Sequence, residues 1–250
     1  LTETWLNDNH HDSEMFPSKY SVFRRNRKYA ELHCQRGGGV LLSVSNNASA
    51  SLISTPIVSQ YEDVWIQLTT YGCRLVVGCV YFPPETNVEF YRSFCHTCES
   101  LRNRFENHKF IICGDFNLPH IEWIKEDGTL VPEGLHTPAA ETVVDCMFFL
   151  ELQQINSVRN NRNRMLDLIF ADEFRLSTVS LSLIELTKID PHHPAVECSF
   201  DFKYIQALKS KTSNVSVYQF RKANYIELNN FFEQVDWSFL NSTEDIELLV

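Results

Sequence analysis

The chain has 250 residues, 44% hydrophobic and 12% aromatic, enough for one sizeable core. Asp and Glu number 32 against 22 Lys and Arg, a formal charge of −10. This argues against avid nonspecific binding to nucleic acid but leaves room for a local basic patch. There is no apolar run near membrane-span length and no secretory signal, and the 8 cysteines sit mostly in apolar segments, as expected of a reducing compartment.

Taken in order, LTETWL (1–6) reads as the last part of a strand that delivers Glu3 to its end. Because the chain opens at Leu1 with strand-like sequence, a fragment of a longer protein is expected. Residues 7–19 are polar and read as a loop, and Arg24-Arg25-Asn26-Arg27-Lys28 is one candidate basic patch. GGG (37–39) is a turn feeding a strand at 40–44. Residues 64–68 and 74–81 read as a hairpin, ended by Pro83 and Pro84. Over 88–105, Tyr91, Phe94, Cys95, Cys98, Leu101 and Phe105 recur at three- and four-residue steps, the pattern of an amphipathic helix.

That helix leads into KFIICGDFN (109–117), the segment that organises the rest. Its apolar run, 110–113, shows no alternation and reads as a strand buried on both faces. Gly114 is expected to let the backbone turn, and Asp115 and Asn117 to emerge on one side of extended chain. A second helix is expected over 139–150. Strands follow at 165–170, 176–184 and 196–202, and the run from Arg159 to Arg164 is a second candidate basic patch. Strands first, then a helix and further strand–helix–strand units, give sheets packed together and flanked by helices. After Tyr204 the periodicity stops. Residues 205–217 read as a linker and 223–235 as a separate helix.

Five strand ends present polar side chains: Glu3, Tyr81, the Asp115/Asn117 pair, Asp167 and the turn Asp190-Pro-His-His-Pro194. Asp167, placed mid-strand in LDLIF, is costly to bury without a partner. Carboxylates with an amide suit a hard divalent cation, and a histidine held by a carboxylate can act on a phosphate or a water.

In this order the motifs ETWL, GGGV, VYFPP, GDFN, LDLIF and HHPA resemble the endonuclease/exonuclease/phosphatase superfamily. Within it, the similarity is to the apurinic-like endonuclease domain of Jockey-type non-LTR retrotransposons. The resemblance covers about residues 1–202 and implies a DNase-I-like, four-layered α/β sandwich: two packed mixed sheets flanked by helices. Residues 1–204 would be this domain without its first strand, and 218–250 the start of the segment leading to a reverse transcriptase.

The resemblance also implies roles. Glu3 and Asp190 would hold Mg²⁺, for which Mn²⁺ can substitute, and Tyr81 would contact the phosphate. Asp115 would activate water, Asn117 would position the phosphate, and Asp167 would orient the catalytic histidine. For that histidine, strand parity favours His192 while the resemblance favours His193; Pro191 disturbs simple alternation, so His193 is expected. The implied activity is nicking of double-stranded DNA to leave a 3′-hydroxyl primer. The implied partner is the reverse transcriptase domain of the same polyprotein, with no membrane. The place of action would be the nucleus, reached through the cytoplasm. A phosphomonoesterase of the same superfamily and an inactive remnant that only binds are the alternatives.

Overall fold

Two long strands, β4 (Glu62–Thr70) and β5 (Cys73–Tyr81), form the hairpin on which the domain is built, nine residues each in antiparallel register. The computed structural model describes residues 1–27, 37–55, 61–172, 177–184, 190–201 and 224–235. It divides into two units, Leu1–Leu208 and Lys209–Val250. In the first unit, α1 (Asp12–Met15), β1 (Tyr20–Arg25), β2 (Val40–Ser45) and β3 (Ser49–Ile53) precede the hairpin. After it come α2 (Val88–Arg104), β6 (Lys109–Asp115), β7 (Glu122–Glu126), β8 (Thr129–Glu133) and α3 (Pro138–Phe149). The unit continues with β9 (Gln153–Gln154), β10 (Asp167–Ala171), β11 (Ser177–Leu181) and β12 (Val196–Phe200).

The main sheet runs β3-β4-β5-β6-β10-β9, with β5 and β6 parallel and the other pairs antiparallel. The parallel pair needs a crossover, and α2 supplies it. Asn87 caps α2 by accepting a bond from the Glu89 amide. Tyr91, Phe94, Cys95, Cys98 and Leu101 then face inward, each worth roughly 1.5–3 kcal/mol on full burial for the larger apolar side chains. α3, capped by Thr137 with Pro at its start, adds Ala140, Val143, Val144, Cys146 and Met147 to the same core.

The other face of the sheet carries a smaller core. Val64, Cys79 and Tyr81 meet Val40 of β2, with Phe23 and Leu42 packed against them. Among the described residues, three two-stranded ladders, β1–β2, β7–β8 and β11–β12, accompany the main sheet. The architecture is the mixed α/β sandwich expected.

Several expectations change. Residues 1–6 are not a strand: Thr2 alone makes a bridge, to Val40, while Glu3 and Trp5 have positive φ. β6 is fully buried on one face, at Phe110 and Ile112, and half-buried on the other, at Ile111 and Cys113. A mixture of apolar residues hid this alternation. Gly114 is no turn but an in-register strand residue at φ 153°, where a Cβ would lie 1.9 Å from the Val80 carbonyl oxygen. Asp167 opens β10 rather than sitting in its middle.

β1, β3, β9 and the β7–β8 hairpin escape the sequence reading. The hairpin had a signal in Asp127-Gly128, both at positive φ, the geometry of a tight two-residue turn. The expected linker 205–217 lies outside the described residues. In the second unit, α4 (Tyr225–Gln234) is capped by Asn224.

Candidate active site

Sheet register assembles the site. Tyr81 of β5 lies opposite Asp115 of β6, and Asp115 lies opposite Asp167 of β10. Paired residues on neighbouring strands share a face, so three strands send one polar row to the same side. The next residues, Phe82 and Phe116, turn the other way into an aromatic cluster with Tyr91 and Phe94. Tyr91 anchors it by donating its hydroxyl to the Phe116 carbonyl at 2.9 Å. Two backbone bonds lock the row: Phe82 N–H to Asp115 O and Phe116 N–H to Leu166 O, each 3.0 Å.

Asp115 is 1% exposed. Its Oδ1 accepts the Asn117 backbone N–H at 3.0 Å and its Oδ2 accepts Asn117 Nδ2 at 2.9 Å. The same Nδ2 donates to Phe82 O at 2.7 Å. Asn117 has φ 47°, so the acid and amide meet through a tight turn, not through strand alternation. Burial, reinforced by the neighbouring Asp167, pushes the Asp115 carboxyl up to about 7; His193 and the Asn117 amide pull the other way.

His193 Nδ1 is 2.9 Å from Asp167 Oδ2, and its Nε2 is 3.8 Å from Asp115 Oδ2. The bond to Asp167, joined by the fields of Asp167, Asp115 and Asp190, raises the imidazole to about 9 against the cost of burial. His192 is exposed and donates its backbone N–H to Asp190 Oδ1 at 2.8 Å. The ring brought to Asp167 is therefore that of His193. Tyr81 donates its phenol to Glu3 Oε1. Burial and this bond push the phenol well above its ordinary value.

The arrangement has one chemical consequence. An oxygen at hydrogen-bond distance from both His193 Nε2 and Asp115 Oδ2 closes a triangle on the 3.8 Å base. One vertex offers a proton and the other accepts one.

Asp115, Asp167 and His193 also form a group able to hold a divalent metal, their ligand atoms lying within 4.8 Å of one another. Glu3 and Asp190, the ligands the resemblance implied, fall outside that group; Glu3 is spent on Tyr81, and Asp190 caps the His192 amide. The donor set fits a hard cation. Carboxylate oxygens dominate it, and Asp115 is held up partly by the charges of Asp167 and Glu3, a repulsion that a cation relieves.

In the first candidate patch all three arginines are paired with acids, and Lys28 lies outside the described residues. Arg24 pairs with Asp12 at 2.7 Å and Arg25 with Asp63 at 2.6 Å. Arg27 is buried, bonded to both oxygens of Glu62, with its guanidinium 5.3 Å from the Tyr81 ring centre. The glycine run makes space for it: a Cβ at Gly38 would lie 2.2 Å from the guanidinium carbon. In the second patch, Arg159 is bonded to the carbonyls of Asn163 and Trp123, whereas Arg162 and Arg164 are exposed.

Residues 75–192 match the family described as endonuclease-reverse transcriptase. No curated protein sequence matches the chain. Among solved structures, the endonuclease domain of TRAS1, a telomere-specific non-LTR retrotransposon, aligns over 74% of this chain and 81% of its own. Its TM-score is 0.51 at 12% identity. The AP endonuclease LMAP from Leishmania major aligns over 80% and 77%, with TM-score 0.53 and 13% identity. The human Nocturnin catalytic domain with bound sulfate aligns over 80% and 79%, with TM-score 0.51 and 14% identity. The chain thus has a DNase-I-like fold, and its central segment, residues 75–192, resembles the endonuclease-reverse transcriptase family.

Proposed function

We propose that the domain is a divalent-metal-dependent phosphodiesterase that nicks double-stranded DNA, the endonuclease of a non-LTR retrotransposon polyprotein. The observation that carries this is the Asp115–His193–Asp167 geometry: a buried carboxyl and a carboxylate-held imidazole flank one oxygen-sized position. Asp167 fixes the ring by binding Nδ1 and stabilises its positive charge, leaving Nε2–H to hold a phosphate oxygen as charge builds there. Asp115, in its ionised form, accepts the proton of an attacking water. Asn117 holds both oxygens of Asp115 in place through its backbone and side-chain N–H groups. Tyr81, on the next strand, would offer its phenol O–H to the phosphate on releasing it from Glu3.

Mg²⁺ or Mn²⁺ would be held by carboxylate oxygens of the Asp115/Asp167 pair. Bound there, it supplies charge stabilisation for phosphate and leaving oxygens. The exposed Arg162 and Arg164 lie on the loop whose backbone docks on the His192 turn, which gives an acidic protein a local footing for a DNA backbone. The TRAS1 likeness supports retrotransposon origin, with action in the nucleus and reverse transcriptase as the polyprotein partner.

The test is conversion of supercoiled plasmid to open circle in Mg²⁺ or Mn²⁺, arrested by EDTA. His193→Ala is expected to lower the rate by about 10²-fold or more, the scale for removing a preorganised donor at a developing charge. His192→Ala is expected to keep most of it. Release of phosphate from inositol phosphates with no action on DNA would replace this reading by the phosphomonoesterase one. DNA binding without cleavage in either metal would leave a binding remnant.

A further inference from the structure

Asp167 is placed by sheet register, but its partner His193 comes from a turn 26 residues away, and something must hold that turn. The loop of residues 157–166 runs directly into Asp167 and is also bonded to the His192 turn. At its base, Asn156 donates Nδ2 to the Asp167 carbonyl at 2.6 Å and accepts the Val158 N–H at 2.9 Å. Gln154 clasps Asn156 in turn, bonding both its N–H and its carbonyl. Arg159 ties the loop to β7 through the Trp123 carbonyl at 2.8 Å.

At the loop's centre, Asn160 does two separate things. Its Oδ1 accepts the backbone N–H groups of Arg162 and Arg164, at 2.9 and 3.0 Å, which shapes the loop. Its Nδ2 donates to the His192 carbonyl at 3.2 Å, while the next amide, Asn161 N–H, reaches the Pro191 carbonyl at 3.0 Å. Two N–H donors on one side and a carbonyl on the other fix which end of the amide is which.

We propose that this loop is a bracket that sets His193 against Asp167, and that Asn160 is its positioning residue. One end of the bracket grips the residue bearing the carboxylate and the other grips the turn bearing the imidazole. The run of arginines and asparagines therefore serves the geometry of the histidine as well as the charge of the surface. In its catalytic consequence the inference rests on the nuclease reading; in its structural consequence it does not.

Two substitutions separate loop building from positioning. Asn160→Asp keeps an oxygen for the Arg162 and Arg164 amides but loses the donor to the His192 carbonyl; Asn160→Ala loses both. The first measurement is the imidazole ¹H–¹⁵N spectrum, where the Nδ1–H bonded to Asp167 is assigned by its loss in His193→Gln. That resonance is expected to vanish or broaden in both Asn160 variants, with Asn160→Asp keeping the wild-type circular dichroism. The second is plasmid nicking: kcat is expected to fall about 10- to 100-fold in both, the cost of a misplaced catalytic group, with KM within about twofold. If Asn160→Asp keeps the resonance and the wild-type kcat, Asn160 only builds the loop and the proposal fails. If the wild type cleaves no DNA yet the resonance is lost in Asn160→Asp, the bracket stands and the nuclease reading falls.

Discussion

Asp115→Asn tests whether the site stores unfavourable charge. The carboxyl is 1% exposed and is raised from its ordinary 3.8 to about 7, chiefly by burial and next by Asp167. A raised acid binds its proton more tightly in the folded chain than in the unfolded one. Its stabilising effect is therefore complete below about pH 4 and is lost as pH rises through 7. The full loss is about 4 kcal/mol, at 1.36 kcal/mol for each tenfold change in proton affinity. Asparagine does not titrate and is spared this loss. It retains one acceptor for the Asn117 N–H but replaces Oδ2, the acceptor for Asn117 Nδ2, at a cost of about 1 kcal/mol. Without metal, the variant should be about 1–3 kcal/mol more stable than wild type at pH 8 and equal or slightly weaker at pH 4.5. Urea denaturation in EDTA at the two pH values measures the difference. A stability difference that fails to grow with pH would refute the argument. Added Mg²⁺ should stabilise the wild type more than the variant, since it binds the folded carboxylates.

Two further outcomes follow from the arginines. Arg27→Ala leaves Glu62 buried without its partner and should cost about 3–5 kcal/mol, whereas Arg27→Met with Glu62→Leu should recover most of that, as urea midpoints would report. Arg162→Ala and Arg164→Ala should each reduce the slope of log DNA affinity against log salt by about 1 without changing the melting temperature, read by fluorescence anisotropy.

Periodic segments were the readable part of this sequence. α2 announces itself because its apolar residues repeat at helical steps over seventeen residues, and one face is all it must bury. β1 and β3 are quieter. β1 carries its apolar pair beside two arginines that pair with acids elsewhere in the fold, so its charge looks like surface until Asp12 and Asp63 are in place. The same distant pairing hides the role of Arg27: it and Glu62, 35 residues apart, form one buried ion pair in the fold. Local composition carries no trace of that contact.

The site divides along the same line. Tyr81, Asp115 and Asp167 each end or begin an apolar run, so their chemistry stands out against their surroundings, and sheet register does the rest. Strand parity favours His192 and misleads, because the turn that carries both histidines is bent by Pro191 and by Asp190, whose carboxylate takes the His192 amide and whose carbonyl takes that of His193. Those two bonds turn His192 outward and leave His193 facing Asp167. The polar row is thus specified by the sheet, which the sequence pattern encodes directly. The histidine is specified by a hydrogen-bonded turn and the loop that docks on it, which the pattern encodes only through asparagines whose partners lie far along the chain.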